Sequence, residues 1–173
     1  EGFPFVTHLP LHLEEGEAGF RLLGHCAKPN PHWRYLRARP QALVTFLGPQ
    51  AYLSPKVYPD LQRVPTWNYL AVHCGVEAGL VREGEAKARL LKKLIGDHEP
   101  PYAEQWRGLG EEFAHKMLAG IVGFELQVRQ WDCKLKLNQH RPESHARLRA
   151  AYAGGTAQER ELAQWMDRLG MEG

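Results

Sequence analysis

The segment Gly24-His25-Cys26-Ala27-Lys28-Pro29-Asn30-Pro31-His32-Trp33 brings together groups that suit a bound anion. A strand end runs into a tight turn carrying Lys28. Asn30 follows, a residue type that caps helices, with Pro31 favoured at the first helical position. Backbone N–H groups at such a start, with a cation nearby, attract phosphate. The charge distribution agrees. Ala18 to Pro59 holds Arg21, Lys28, Arg34, Arg37, Arg39 and Lys56 with no Asp or Glu, a net +6. The whole chain has 22 basic and 20 acidic residues, so the remainder has 16 against 20, or −4. The plainer explanation is a solvated basic surface.

A second segment, Val64-Pro65-Thr66-Trp67-Asn68-Tyr69, interleaves aromatic rings with a hydroxyl and an amide. Trp and Tyr offer stacking surface and Thr and Asn offer orientation, which suits a planar heteroaromatic ligand. An ordinary strand with core aromatics reads the same way. Ser54, between Tyr52 and Lys56, either donates to an anion or shapes the turn before Pro55. Metal chemistry finds no ligand set. His8 and His12 are four residues apart on one strand face, roughly 13 Å along it, too far to share an ion. No HExxH, GxSxG, GxGxxG or GxxxxGK[ST] occurs.

Positioning these residues calls for many short strands. Seventeen Gly and twelve Pro in 173 residues imply frequent turns. Phe3 to Leu13 alternates with period two and predicts a strand with Pro4 and Pro10 on one face. Phe20 to His25 predicts another strand, and Asn30 a cap for a helix over Pro31 to Arg37. Ala42 to Leu47 reads as a strand broken by Gly48-Pro49 and resumed over Ala51 to Ser54. Thr66 to Val76 is a strong strand, with a turn at Ala78-Gly79. Glu83 to Ile95 is a helix with a Leu90, Leu91, Leu94, Ile95 stripe; Lys87, Arg89, Lys92 and Lys93 project elsewhere, where nucleic-acid contact is the functional reading and a solvated side the plainer one. Asp97 to Gly110 reads as irregular and Glu111 to Leu118 as helical. Ile121 to Val128 and Leu135 to Gln139 are two strands joined through Gln130 to Cys133. Thr156-Ala157-Gln158-Glu159 is a capping box, opening a helix that docks by Leu162, Trp165, Met166 and Leu169. Six or more strands with Gly and Pro corners favour a small barrel over a βαβ sheet.

Composition sets further bounds. No apolar run reaches the ~18 residues of a membrane span, and no signal-peptide pattern is present. Cys26, Cys74 and Cys133 make neither a CxxC pair nor a zinc spacing and read as reduced thiols of a cytoplasmic protein. Glu1-Gly2-Phe3-Pro4 reads as the turn and second arm of a hairpin, so a natural N-terminal segment and first strand are expected to be missing.

Seven motifs in order carry a resemblance. They are Thr-His-Leu-Pro from Thr7, Leu-Gly-His-Cys-Ala-Lys-Pro-Asn-Pro-His-Trp from Leu23, Gly-Pro-Gln-Ala-Tyr-Leu-Ser-Pro from Gly48 and Val-Pro-Thr-Trp-Asn-Tyr from Val64. His98-Glu99, Ile-Val-Gly-Phe-Glu from Ile121 and Lys-Leu-Asn-Gln from Lys136 complete the set. Together, from about Phe3 to Arg141, the chain resembles the PaiB-type FMN-binding negative transcriptional regulators of bacteria. Where that family commonly has Lys-Leu-Ser-Gln-Asn, this chain has Asn138 and His140 in place of the Ser and the second Asn.

The resemblance implies an α+β, mainly β fold: a split β-barrel of the FMN-binding type with peripheral helices and a helical C-terminal tail. It implies a barrel domain over 1–141, with helices of 142–173 packed on it, and a homodimer with FMN between subunits. Under it, Thr7, His8 and Leu9 would run beside the isoalloxazine, and His25, Lys28 and Asn30 would lie at the phosphate. Ser54 remains a candidate, Thr66, Trp67 and Asn68 would line the cleft, and Lys136 and Gln139 would be secondary contacts. The resemblance also implies a role in repression, yet no helix-turn-helix or basic recognition helix is legible, so DNA is only weakly indicated as a partner. Two other functions compete: an FMN-dependent oxidoreductase or flavin reductase on a small substrate, and a haem-binding split barrel using His25, His73 or His98.

Overall fold

The computed structural model describes residues 3–60 and 62–171. Glu1 and Gly2, half of the expected hairpin turn, lie outside the described residues. Five strands form one sheet in the order β1-β2-β5-β4-β3. They are β1 (His12–Gly16), β2 (Gly19–Ala27), β3 (Gln41–Leu53), β4 (Thr66–Val81) and β5 (Ile121–Lys136). Among the described residues, six helices accompany them: α1 (His32–Ala38), α2 (Gly84–His98), α3 (Tyr102–Gly108), α4 (Glu111–Ala119), α5 (His145–Ala153) and α6 (Ala157–Arg168). The chain forms two compact units, one of 1–44 and 74–130, the other of 45–73 and 131–173.

In the first unit, β1 and β2 make an antiparallel hairpin, with Gly16 opposite Gly19. Gly19 has φ +88°, which glycine adopts without steric cost. β2 also pairs antiparallel with β5, placing His25 opposite Gly123. Leu23, Leu90 and Leu94 are buried together with Val81 against them, so the expected stripe of α2 seals this layer. One cation departs from the solvated side. Lys87 is buried and its Nζ donates to Leu118 O (2.5 Å) and Ile121 O (3.3 Å), satisfying carbonyls where α4 ends.

The second unit is built around Leu53, Tyr58, Leu137, Leu148, Tyr152, Leu162 and Met166. Leu162 and Met166 are fully buried as the spacing predicts, Trp165 packs beside them, and Leu169 is 44% exposed instead. The α6 capping box is present, with Thr156 N donating to Glu159 Oε2 (2.7 Å) and Glu159 N to Thr156 Oγ1 (3.3 Å).

Several expectations are corrected. Residues 4–11 alternate but join no ladder, and β1 starts only at His12. Pro4 and Pro10 cannot donate to a neighbour, and Phe5 instead packs on the rings of His32 and Tyr35 at 5.2 Å. Gly48-Pro49 does not break β3, because β3 is an edge strand, where a missing N–H is tolerated. Gly48 also lets the chain run close to Leu70, whose Cβ lies 3.3 Å from where a Gly48 Cβ would stand. β4 continues through Ala78-Gly79, with Ala78 N donating to Pro40 O at 2.8 Å. The two strands expected over 121–139 are one, since no Gly or Pro follows Gly123 in β5. The irregular stretch contains α3, started by Pro101. Fewer and longer strands thus replace the expected six or more short ones.

Candidate functional site

The basic turn lies in the first unit. Its helix starts one residue later than expected, at His32, with Asn30 Oδ1 accepting from His32 N at 2.9 Å. Asn30 Nδ2 donates to Thr7 Oγ1 (3.4 Å), which also lies 2.8 Å from His32 Nδ1. Burial pulls the His32 pKa down, so its ring stays neutral near neutral pH. The structure therefore brings Thr7, Asn30 and His32 together. The backbone donors expected to face an anion are instead used internally. Lys28 N donates to Gly120 O (2.8 Å) and Asn30 N to Ala27 O (2.9 Å). Lys28 O accepts from Trp33 Nε1 (3.0 Å), and the Lys28 side chain is exposed. His25 is half-buried with Nδ1 lacking a partner, and burial lowers its pKa. His8 is exposed and Leu9 half-buried, both outside the ladder.

The second unit holds a pocket of about 270 Å³. Four of the sequence candidates line it: Thr66, Asn68, Lys136 and Gln139. Strand alternation puts Thr66 and Asn68 on one face of β4, and the last residue of β5 supplies Lys136. Lys136 Nζ donates to Thr66 Oγ1 at 2.7 Å and stands 5.9 Å from the Tyr69 ring centroid. No ion pair engages it among the described residues, and no Asp or Glu lines the pocket. Asn68 is fully buried. Its Nδ2 donates to Tyr152 Oη (3.1 Å), while Oδ1 has no partner. Burial pushes the Tyr152 phenol up to about 12, so that hydroxyl remains protonated.

Of the remaining wall, Tyr58, Arg63 and Arg141 were not read from the sequence. Arg63 pairs with Asp60 (2.8 Å) and Glu143 (3.6 Å), and its Nε lacks a partner. Arg141 lies 4.0 Å from Glu143. Asn138 adopts φ 67°, the left-handed region that Asn tolerates better than most residues. Tyr58 Oη donates to its Oδ1 (3.1 Å), and its Nδ2 donates to Ser144 Oγ (2.8 Å). Its carbonyl accepts from Arg141 N (3.0 Å) and His145 Nε2 (3.1 Å). Arg63 and Arg141 each stand beside a motif that was legible, and that adjacency was the available signal.

Ser54 and Trp67, the other candidates of this unit, serve elsewhere. Ser54 Oγ accepts from Lys56 N (3.3 Å), capping a 3₁₀ turn over Pro55–Val57. Trp67 does not line the pocket; its Nε1 donates to Gln50 Oε1 (3.0 Å) and its ring lies edge-on to Tyr52. Gln139 is tied to its own turn, accepting from Leu137 N and donating to Leu135 O. Among the described residues, no group of three or more His, Cys, Asp or Glu converges as a metal site would.

This donor set fits part of FMN. An ammonium beside a hydroxyl, free of carboxylate, suits a phosphate. The unpartnered Asn68 Oδ1 is an acceptor waiting for an O–H or N–H, which ribityl hydroxyls or a flavin ring can supply. The volume holds a portion of the cofactor, since whole-ligand pockets run to about 300–1,000 Å³.

Residues 1–130 match the family described as "Putative FMN-binding domain". The protease synthase and sporulation protein PAI 2 of Bacillus subtilis is 36% identical over 147 residues, covering 83% of this chain and 70% of that protein. The flavocytochrome Anf3 of Azotobacter vinelandii superposes with a TM-score of 0.55 at 19% identity, covering 78% of this chain and 57% of that one. An FAD and haem binding protein of Mycobacterium smegmatis gives 0.52 at 18% identity, covering 67% and 53%. This chain thus spans little more than half of those two structures, and the likeness is one of fold: α+β, mainly β, of the split-barrel flavoprotein class.

Proposed function

We infer the function from the family to which the chain belongs, the FMN-binding domains, within which it resembles the PaiB-type regulators. The chain is an FMN-binding split-barrel protein. We propose that it acts as a flavin-responsive negative regulator and works as a homodimer. Bound FMN supplies reversible one- and two-electron redox chemistry. On this proposal Lys136 and Thr66 hold the phosphate and Arg141 adds positive potential. Asn68 accepts from a cofactor hydroxyl or N–H, and Tyr152 fixes the amide so that its oxygen faces the cofactor. Thr7, His8, Leu9, His25, Lys28 and Asn30 remain the candidates in the other unit.

The observation that carries this reading is a pocket with no Asp or Glu in its lining, where among the described residues Lys136 has no ion-pair partner and Asn68 an unused acceptor. The test is FMN titration of Lys136→Gln, followed by flavin fluorescence. A charge-assisted hydrogen bond contributes about 1.5–3 kcal/mol, so Kd should rise roughly 10- to 150-fold. Lys28→Ala with Asn30→Ala is the companion. If that pair raises Kd and Lys136→Gln leaves it unchanged, the phosphate belongs at the turn and the assignment to the pocket is wrong.

A further inference from the structure

We propose that α1 and its flanks form a surface for the phosphate backbone of duplex DNA. This inference rests on the regulator reading and gives it a physical partner. Arg34 and Arg37 both project from α1 over one ring, with guanidinium carbons 5.3 and 5.5 Å from the Trp33 centroid. Trp33 is itself anchored by its bond to Lys28 O. Arg34, Arg37, Arg39 and Lys28 are all exposed, and none forms a salt bridge among the described residues. Arg21, Lys93 and Arg129 of the same unit, by contrast, each meet a carboxylate. With no Asp or Glu from Ala18 to Pro59, nothing local in the sequence neutralises the group.

Stacking on an aromatic ring restricts a guanidinium and leaves its N–H edge outward, an arrangement suited to phosphate oxygens. Arg34 and Arg37 are three residues apart, about 4.5 Å along the helix. That interval lets both reach neighbouring phosphates of one strand. The helix has seven residues and no side-chain cap. It is too short to read bases from the major groove, so its contacts position the protein without specifying sequence. An anionic membrane is the poorer partner. A helix lying in a bilayer surface needs a wide apolar face; on α1 Leu36 is buried, and the large exposed apolar surface is limited to Tyr35 with Phe5 packed on it.

The experiment measures binding of the FMN-loaded protein to a fluorescein-labelled 20-base-pair duplex of arbitrary sequence, by anisotropy from 20 to 200 mM salt. The electrostatic part of such binding is independent of sequence, so no operator is needed. Each phosphate contact contributes about 0.9 to the slope of log K against log salt. Arg34→Ala with Arg37→Ala should make that slope shallower by about 1.8. If the two lines meet at 1 M, binding falls roughly 60-fold at 0.1 M salt. Arg34→Lys with Arg37→Lys should keep most of the slope. Lys92→Ala with Lys116→Ala, exposed cations of α2 and α4, should keep all of it. FMN absorbance of each variant reports that the fold is intact.

Wild-type binding that survives the α1 double variant unchanged overturns the proposal while leaving direct DNA contact standing. An equal loss in the Lys92 and Lys116 variant also overturns it. Wild-type protein that ignores the duplex at 20 mM salt removes both the surface and direct repression. Retention on anionic vesicles with none on duplex would assign the patch to lipid and sink it as well. FMN titration remains separate from all of these outcomes.

Discussion

Replacing Tyr152 with Phe probes the pocket from behind. The Tyr152 ring is 2% exposed and packs among Leu53, Leu148, Leu162 and Met166. Phe keeps that ring and removes only the hydroxyl. The hydroxyl accepts from Asn68 Nδ2 at 3.1 Å and donates to Tyr52 O at 3.3 Å. Asn68 is fully buried and its Oδ1 already lacks a partner, so Tyr152→Phe leaves both ends of the amide unsatisfied. A buried polar group stranded this way costs about 1–3 kcal/mol. For a chain of this length each kcal/mol moves Tm by about 2–4 °C, so a 2 kcal/mol loss lowers it by about 4–8 °C. Thermal and urea melts followed by tryptophan fluorescence measure it. The double variant Asn68→Leu with Tyr152→Phe removes both polar partners at similar volume and should recover most of the loss, the sign of a shared penalty. A single variant within about 0.5 kcal/mol of wild type, or a double variant less stable than the single, would refute the argument that this amide depends on Tyr152.

Glu14 gives a pH signature. The hydrogen bond from Lys93 holds its carboxyl below the usual carboxylate range, with Arg21 Nη2 donating to it at 2.9 Å. A depressed folded-state pKa means the stabilisation is present above the ordinary value of 4.5 and is lost as pH falls through the folded value. Glu14→Gln should therefore be less stable than wild type near pH 7, with urea midpoints converging as the solution is acidified; a pH-independent gap would contradict this. The dimer proposal has a surface to account for, since Leu47, Trp67 and Trp131 of the second unit are 64%, 47% and 59% exposed. Light scattering on a sizing column should give twice 19.7 kDa, and a species at 19.7 kDa would reject it.

Local signals were legible where local physics decides. The capping box at Thr156, the leucine stripe of α2 and the strand Gly19–Ala27 each follow from spacing that one element imposes on itself. Errors arose where context overrode pattern. Alternation over 4–11 met two prolines and a set of ring contacts. Gly48-Pro49 fell on an edge strand that tolerates it, and the junction expected over Gln130 to Cys133 did not stop β5. The pocket was half legible. The polar-aromatic segment and the Lys136 motif were found separately, but nothing periodic links residues 70 apart, as Lys136 and Thr66 are. The bond from Asn68 to Tyr152 spans 84 positions and was equally invisible.

The left-handed bend at Asn138 has a consequence for how tightly a ligand can be held. Four hydrogen bonds converge on that one residue, so the stretch from Asn138 to Arg141 is braced before any ligand arrives. A braced rim surrenders little motional freedom on complexation, and favourable contacts then translate more fully into residence time. Asn138 thereby acts as a keystone.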